Sequence, residues 1–491
     1  MEESGRAALA GLVREIIGAS GVAPPPELTW LRAVGSRLFD ENGDRVILRS
    51  VAWYSLEQDY YLRGTTRRSY RTRPVLQDDE YAAGGTARGQ EGILEELRRL
   101  GFNSIRLPIS QHITRNDRAN GGNFHHSPFV NPDMFRGADT STHPPSWPDK
   151  SGWGSYRQDP PFDAPQPVIG GLEMLDLLID HCEAIGLRVI LDMHVLARHP
   201  DNEAGTGGRW YTTPTPSAPG RDTGAIGEPR NERQMIEAWV FLARRYKYRP
   251  VVSCFDILNE PFNCTWDPGE AHPRTNIRAF YERCATAVMD VNPRIFLWFQ
   301  GIHGSAHVDG ALRAYDPRPF PELPNRAHIG YFYGSNLEGA RTAPVVVRNS
   351  AGAVITGQHG YSPHEYAPSV GELNLYNGTI GATPPEVAMV IRWRQLWGWM
   401  LEEDLAPVWI GEWSGRFFAD LPGMDAVKAA RDDAWLATFA EYVNRLGASH
   451  SYWCLNADGT RTTGLMLGDD FDGYTGAEPR RMAKIAPMLR G

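Results

Sequence analysis

An α/β barrel of eight strand–helix units, a (β/α)8 barrel, is the fold this sequence predicts. Two observations carry it. Along the chain a unit recurs in which an amphipathic helical stretch meets a Gly stop and is followed by a short, buried apolar strand. Polar residues then concentrate at or just beyond the strand ends, where such a barrel carries its site. Helices alternating with buried strands imply a parallel sheet, and eight units imply closure.

Residues 1–30 read as a lead-in: a short helix with Leu9, Leu12, Val13, Ile16 and Ile17 on one face, then Pro24-Pro25-Pro26. Residues 31–491 read as one domain. Arg37-Leu38-Phe39 and Val46-Ile47-Leu48 flank the turn residues Glu41-Asn42-Gly43-Asp44 and predict a hairpin, with the first barrel strand near Val46 to Val51. Ile93, Leu94, Leu97 and Leu100 form a helical face, Gly101 ends it, and Asn103 to Pro108 follows as strand two. Leu172, Leu175, Leu178, Cys182 and Ile185 repeat the arrangement, Gly186 stops it, and Arg188 to His194 is strand three. Met235, Trp239, Leu242 and Tyr246 precede strand four, Val251 to Glu260. Ile277, Phe280, Cys284 and Val288 precede strand five, Arg294 to Gln300. Val354 to Tyr361, Val408 to Glu412 and Ser449 to Trp453 complete the eight. Two long segments, 111–169 and 197–232, lack helical period; both follow strands and are expected to wall the cleft.

The chain has 491 residues, 42% of them apolar, enough for a large core. Its formal charge is −9, with both signs interspersed, which argues against nucleic acid or an anionic membrane as partner. No apolar run is long enough to span a bilayer, and MEESGRAALAGLVREIIGAS carries no signal-peptide core. A monomer is expected. Tryptophan is abundant, at 15 residues, and many are expected to line clefts. The five cysteines have no CxxC spacing and read mostly as core residues, with a pairing of Cys264 and Cys284 left open. His125, His126, His143 and His199 match no zinc spacing, and no nucleotide fingerprint occurs, so neither metal nor cofactor is expected.

The residues that carry chemistry are Glu260, in FDILNEPF, and Glu412, in APVWIGEWSG. Each closes a buried strand, the fourth and the seventh. Two carboxylates at strand ends on one scaffold are what glycoside hydrolysis requires, one to protonate the leaving oxygen and one to attack or to direct water. Arg106, His194, Asn259, His364, Tyr366 and Trp453 occupy the other polar or aromatic strand-end positions. Each has a plain alternative: Arg106 as a barrel-interior ion pair, His194 and His364 as satisfied core histidines, Trp453 as packing.

The phrases SVAWYSLE, GFNSIRLPIS, LRVILDMH, FDILNEPF, GYSPHEY, APVWIGEW and YWCLNADGTRTTGLML stand in an order that resembles glycoside hydrolase family 5, especially its cellulase-like bacterial members. Trp210-Tyr211 adds to the likeness. The resemblance implies a retaining β-glycosidase acting on β-1,4-glucan, with Glu260 as general acid/base, Glu412 as nucleophile and the other six as supporting residues. It also implies a family that is mostly secreted. Such an acid needs a raised pKa, and such a nucleophile needs Arg106 and Tyr366 to hold it ionised. Asn259 would bond a sugar 2-hydroxyl, and Trp453 would floor the sugar. Three departures put the glycan in question: Ala52 where Asn is usual, Gln300 where Glu is common, and the long insertion at 111–169. A mannanase, a β-glucosidase directed to glycolipids or glycosides, and a sugar-binding barrel without turnover are therefore kept as alternatives.

Overall fold

In the computed structural model the residues described are 27–53, 93–110, 171–195, 232–261, 264–267, 276–302, 332–371, 384–456, 462, 464–469 and 473–490. The lead-in helix, Trp210-Tyr211, the insertion at 111–169 and nearly all of that at 197–232 lie outside them. Chain order begins with β1 (Leu31–Val34), β2 (Arg37–Asp40) and β3 (Arg45–Val46), an antiparallel sheet in which Leu38 faces Val46, as the turn residues between them require.

The barrel strands are β4 (Arg49–Ala52), β5 (Ser104–Ser110), β6 (Arg188–Val195), β7 (Val252–Asp256), β8 (Phe296–Phe299), β9 (His359–Tyr361), β10 (His364–Tyr366), β11 (Trp409–Ser414) and β12 (Ser449–Tyr452). They form one sheet in the order β10-β11-β12-β4-β5-β6-β7-β8-β9, with every pairing parallel. β9 and β10 are halves of a single barrel strand interrupted at Ser362-Pro363, where proline offers no N–H to the ladder. β9 pairs with β8, β10 pairs with β11, and Tyr361 bridges Val408, so the ring closes as eight strands. The sixth strand thus begins five residues later than its apolar run suggests. Val354 instead bridges Arg348 in an antiparallel turn and is half exposed.

The helices are α1 (Ile93–Arg99), α2 (Gly171–Ile185), α3 (Glu232–Arg245), α4 (Ile277–Met289), α5 (Pro385–Trp393), α6 (Ala426–Leu446) and α7 (Pro479–Leu489). α5 runs on through a π-helical turn, Arg394–Gly398, into Trp399–Glu402. The stop glycines read from sequence take the left-handed backbone that ends a helix, Gly101 at φ 102° and Gly186 at φ 71°. Met235, Trp239, Leu242 and Tyr246, like Ile277, Phe280, Cys284 and Val288, are buried against the sheet. Asp432 of α6 is buried and accepts from the backbone N–H groups of Ser369, Arg416 and Phe417, which pins the segments leaving β10 and β11.

Inside the ring the lower layer is apolar. Ile190, Cys254, Phe296, Trp298 and Trp409 point inward and meet Leu31, Leu38 and Leu48, so the β1–β3 sheet stoppers the base of the barrel. The tryptophans depart from expectation. Those at 30, 53, 239, 266, 298, 393, 397, 399, 409, 413 and 435 are core residues, and among the described residues Trp453 is the tryptophan left partly exposed. Indole rings fill the wide helix–sheet layer: Trp393 and Trp435 both pack against Phe439, for example. All five cysteines are buried and none is in a disulfide, so Cys264 and Cys284 do not pair.

Candidate active site

Strand periodicity sends alternate side chains inward. On β6 these are Ile190, Asp192 and His194, and on β7 Cys254 and Asp256; above the apolar layer the interior therefore turns polar. Arg106 of β5, fully buried, is its hub. Its NH1 donates to Glu412 Oε1 at 2.6 Å. Its NH2 lies 3.0 Å from Asp192 Oδ2, 3.0 Å from Asp256 Oδ2 and 2.9 Å from Asn259 Oδ1. Below, its guanidinium sits over the Trp409 ring at 5.9 Å. Arg106 is thus both an interior ion pair with Asp192 and Asp256 and a partner of Glu412, two roles that compete in the sequence reading and coexist in the fold.

Glu412 reaches the interior through an irregularity. Trp409 and Glu412 both face inward although they are three residues apart, which a regular strand forbids. The β11–β12 register shifts between Ile410 and Trp413, and this local break re-aims the carboxylate. Arg106 holds one Glu412 oxygen and the Tyr366 hydroxyl donates to the other. Burial nevertheless pushes the Glu412 carboxyl above its usual value, against the pull of Arg106, His194 and the Tyr366 hydrogen bond. That is the reverse of the shift expected from the sequence: with its side chain 5% exposed, desolvation outweighs the cation.

Glu260 lies beyond the end of β7, its side chain 14% exposed, on a left-handed backbone with φ 43°. For a non-glycine residue that conformation is strained, and it persists only where the surroundings impose it. Glu260 Oε1 is 3.0 Å from His364 Nδ1, which is also 3.6 Å from Glu412 Oε2. Burial, then Arg106 and His194, depress the His364 pKa, so the ring is neutral and touches Glu260 as a hydrogen-bond partner rather than a cation. Oxygens of Glu260 and Glu412 and a nitrogen of His364 all lie within 4.8 Å of one another. A cation would not suit this group: Glu412 already gives its oxygens to Arg106 and Tyr366, and the guanidinium charge stands 2.6 Å away.

His194 is pushed down to about 4 by burial. Its Nδ1 meets Asp192 Oδ2 at 2.7 Å, its Nε2 meets Asn259 Nδ2 at 3.4 Å, and its ring stacks on Trp453 with centroids 5.3 Å apart. Arg106 and His194 together fix the Asn259 amide. All eight residues picked from the sequence therefore converge. Sequence reasoning missed Asp192, Asp256 and Ser362, whose hydroxyl donates to Asp256 Oδ1 at 3.1 Å. The signal was present: an aspartate two residues before an inward histidine shares its face. Burial raises Asp192 to about 7 and Asp256 to about 6, with Arg106 opposing both.

The chain is similar to known proteins in sequence and in fold. Residues 150–459 match the family model described as Cellulase (glycosyl hydrolase family 5). Endoglucanase B of Acetivibrio thermocellus is 24% identical over 474 residues, 92% of this chain and 69% of that protein. An endoglucanase of Paenibacillus polymyxa is 25% identical over 437 residues, 89% of this chain and 82% of that protein. The fold is similar to the catalytic domain of the major endoglucanase from Xanthomonas campestris pv. campestris, with a TM-score of 0.60 at 21% identity, covering 94% of this chain and all of that one.

Proposed function

The chain belongs to glycosyl hydrolase family 5, the cellulase family, and from that premise we propose that it is a retaining endo-β-1,4-glucanase, with Glu260 as general acid/base and Glu412 as nucleophile. The observation that carries the reading is that a carboxylate oxygen of Glu260 and one of Glu412 lie within 4.8 Å of each other. Retaining enzymes hold theirs about 5 Å apart, whereas inverting enzymes leave room for a water between them, at about 6.5 Å or more. The glucan substrate rests on the family and on relatives that are themselves endoglucanases.

Glu260, the more exposed carboxyl, gives its proton to the glycosidic oxygen. Glu412 attacks the anomeric carbon through the oxygen on its Glu260 side, and the C–O bond to the leaving sugar breaks. Glu260, now ionised, takes a proton from water, which displaces Glu412 and regenerates both groups. Neutral His364 suits this cycle, since its Nδ1 accepts from Glu260 in one tautomer and donates to it in the other. Asn259 keeps one N–H for the sugar 2-hydroxyl after serving Arg106 and His194, and Trp453 gives the sugar an apolar floor.

Two measurements test this. Wild-type protein is expected to lower the viscosity of carboxymethyl cellulose and to leave mannan intact; the opposite pattern removes the glucan assignment. With an activated aryl cellobioside, Glu260→Ala plus azide is expected to yield the β-glycosyl azide, and Glu412→Ala plus azide the α-anomer. Exchanged anomers would reverse the two roles.

A further inference from the structure

Gln300, one residue beyond β8, is fully buried and stands between the two halves of the site. Its Oε1 accepts from the Glu260 backbone N–H at 2.8 Å, and its Nε2 donates to Asp256 Oδ2 at 3.0 Å. That same Asp256 oxygen receives Arg106, whose other nitrogen holds Glu412. One amide therefore links the strained backbone of Glu260 to the network that holds Glu412. The side chain is also sterically confined. Gly334, at φ 74°, packs so closely that a Cβ there would lie 2.7 Å from Gln300 Oε1, and the Tyr281 hydroxyl donates to the Gln300 carbonyl at 3.0 Å.

We propose that Gln300 is a positioning residue for the acid/base: its amide holds the Glu260 backbone in the left-handed conformation and in fixed register with the Asp256–Arg106–Glu412 network. This rests on the assignment of Glu260 as acid/base. The position needs a group that accepts and donates at once without charge, and the glutamine amide does so at every pH, where a glutamate of the same length must first bind a proton. An ionised glutamate would accept only, and would set a second anion against Asp256 inside the barrel, where one of the two must bind a proton. Protonated, that glutamate regains a donor for Asp256 and keeps an acceptor for Glu260. The titratable groups about the pair are Arg106, Asp192, His194, Cys254, Tyr281 and Glu260 itself.

The test compares Gln300→Met and Gln300→Glu with wild type on a soluble β-glucan and on 2,4-dinitrophenyl cellobioside, whose leaving group needs little proton help. Gln300→Met is expected to lower kcat/KM about 100-fold on the glucan and less than about tenfold on the aryl glycoside, because misplaced acid catalysis is what is lost. Gln300→Glu is expected to stay active at acid pH and to show the alkaline limb of kcat/KM displaced to lower pH by about one unit or more. Equal losses on both substrates with an unmoved alkaline limb would overturn the inference. So would failure of both variants to fold by circular dichroism, which would make Gln300 a packing residue. Glu260→Ala serves as control. If it shows the leaving-group discrimination and the Gln300 variants do not, this inference falls alone; if it shows none, the acid/base assignment falls.

Discussion

Tyr366 shows how a single hydroxyl is set against burial. It donates to one Glu412 oxygen, an interaction made to the charged form, while desolvation favours the neutral form. Tyr366→Phe removes the donor and leaves the desolvation in place, so the Glu412 pKa rises further. The acidic limb of kcat/KM, which on the proposed assignment reports ionisation of Glu412, is expected to move to higher pH, with a loss of roughly 10- to 100-fold at neutral pH. A pH–rate profile checks this, and an unmoved acidic limb would mean that Tyr366 does not set the ionisation of Glu412. Residues of this kind were legible in the sequence because a polar side chain closing an apolar strand has few bland reasons to be there. Asp192 and Asp256 were not, since each lies within an apolar run and its meaning depends on Arg106, on a strand far off in sequence. Gln300 drew notice only as a departure; its two hydrogen bonds depend on the backbone turn at Glu260, which no pattern announces.

At the scale of elements, helices and strands followed from period and from stop glycines, whereas the irregularities did not. The register shift in β11 and the split of β9 from β10 are properties of pairing, decided by neighbours far off in sequence. His450 of β12 shows such a coupling. Its Nδ1 accepts from Trp413 Nε1 of β11 at 3.1 Å, and its Nε2 lies 2.8 Å from the Met488 carbonyl of α7. Both nitrogens are used by the neutral ring, and burial depresses its pKa to about 4. The unfolded chain binds this proton below about pH 6.5 and the folded chain does not. Stability is therefore fully present above pH 6.5 and declines as pH falls toward 4, by an amount on the order of 3 kcal/mol from this ring. His450→Gln keeps one donor and one acceptor without titrating. Its fall in melting temperature between pH 7 and pH 4.5 is expected to be smaller than that of wild type, and an identical fall would show that the ring is not the titrating group.

For the whole molecule, closure of eight strands was legible because the alternating unit could be counted. The stopper at the base was not, since the hairpin signal carries no information about where the hairpin docks. Leu38 of β2 contributes to that stopper from a fully local antiparallel turn, yet the cluster it joins includes Trp298 and Trp409, from two distant barrel strands. Leu38→Ala is expected to cost about 3 kcal/mol, the range for a buried leucine whose cavity cannot collapse. Urea unfolding measures it, and a cost below about 1 kcal/mol would mean that the hairpin merely covers the base.

The hydrogen bond between Arg106 and Glu412 joins residues 306 positions apart. A chain leaving the ribosome N-terminus first already carries Arg106, His194 and Glu260 when β8 to β12 are unmade, and it cannot yet form this pair. Glu412 arrives on β11, the penultimate barrel strand, and β12 must follow before the ring closes. On the proposed assignment turnover is in this sense a census of finished molecules: a chain truncated before β11 lacks Glu412 and contributes nothing to the rate, so activity per mole of protein measures how many chains completed the circle.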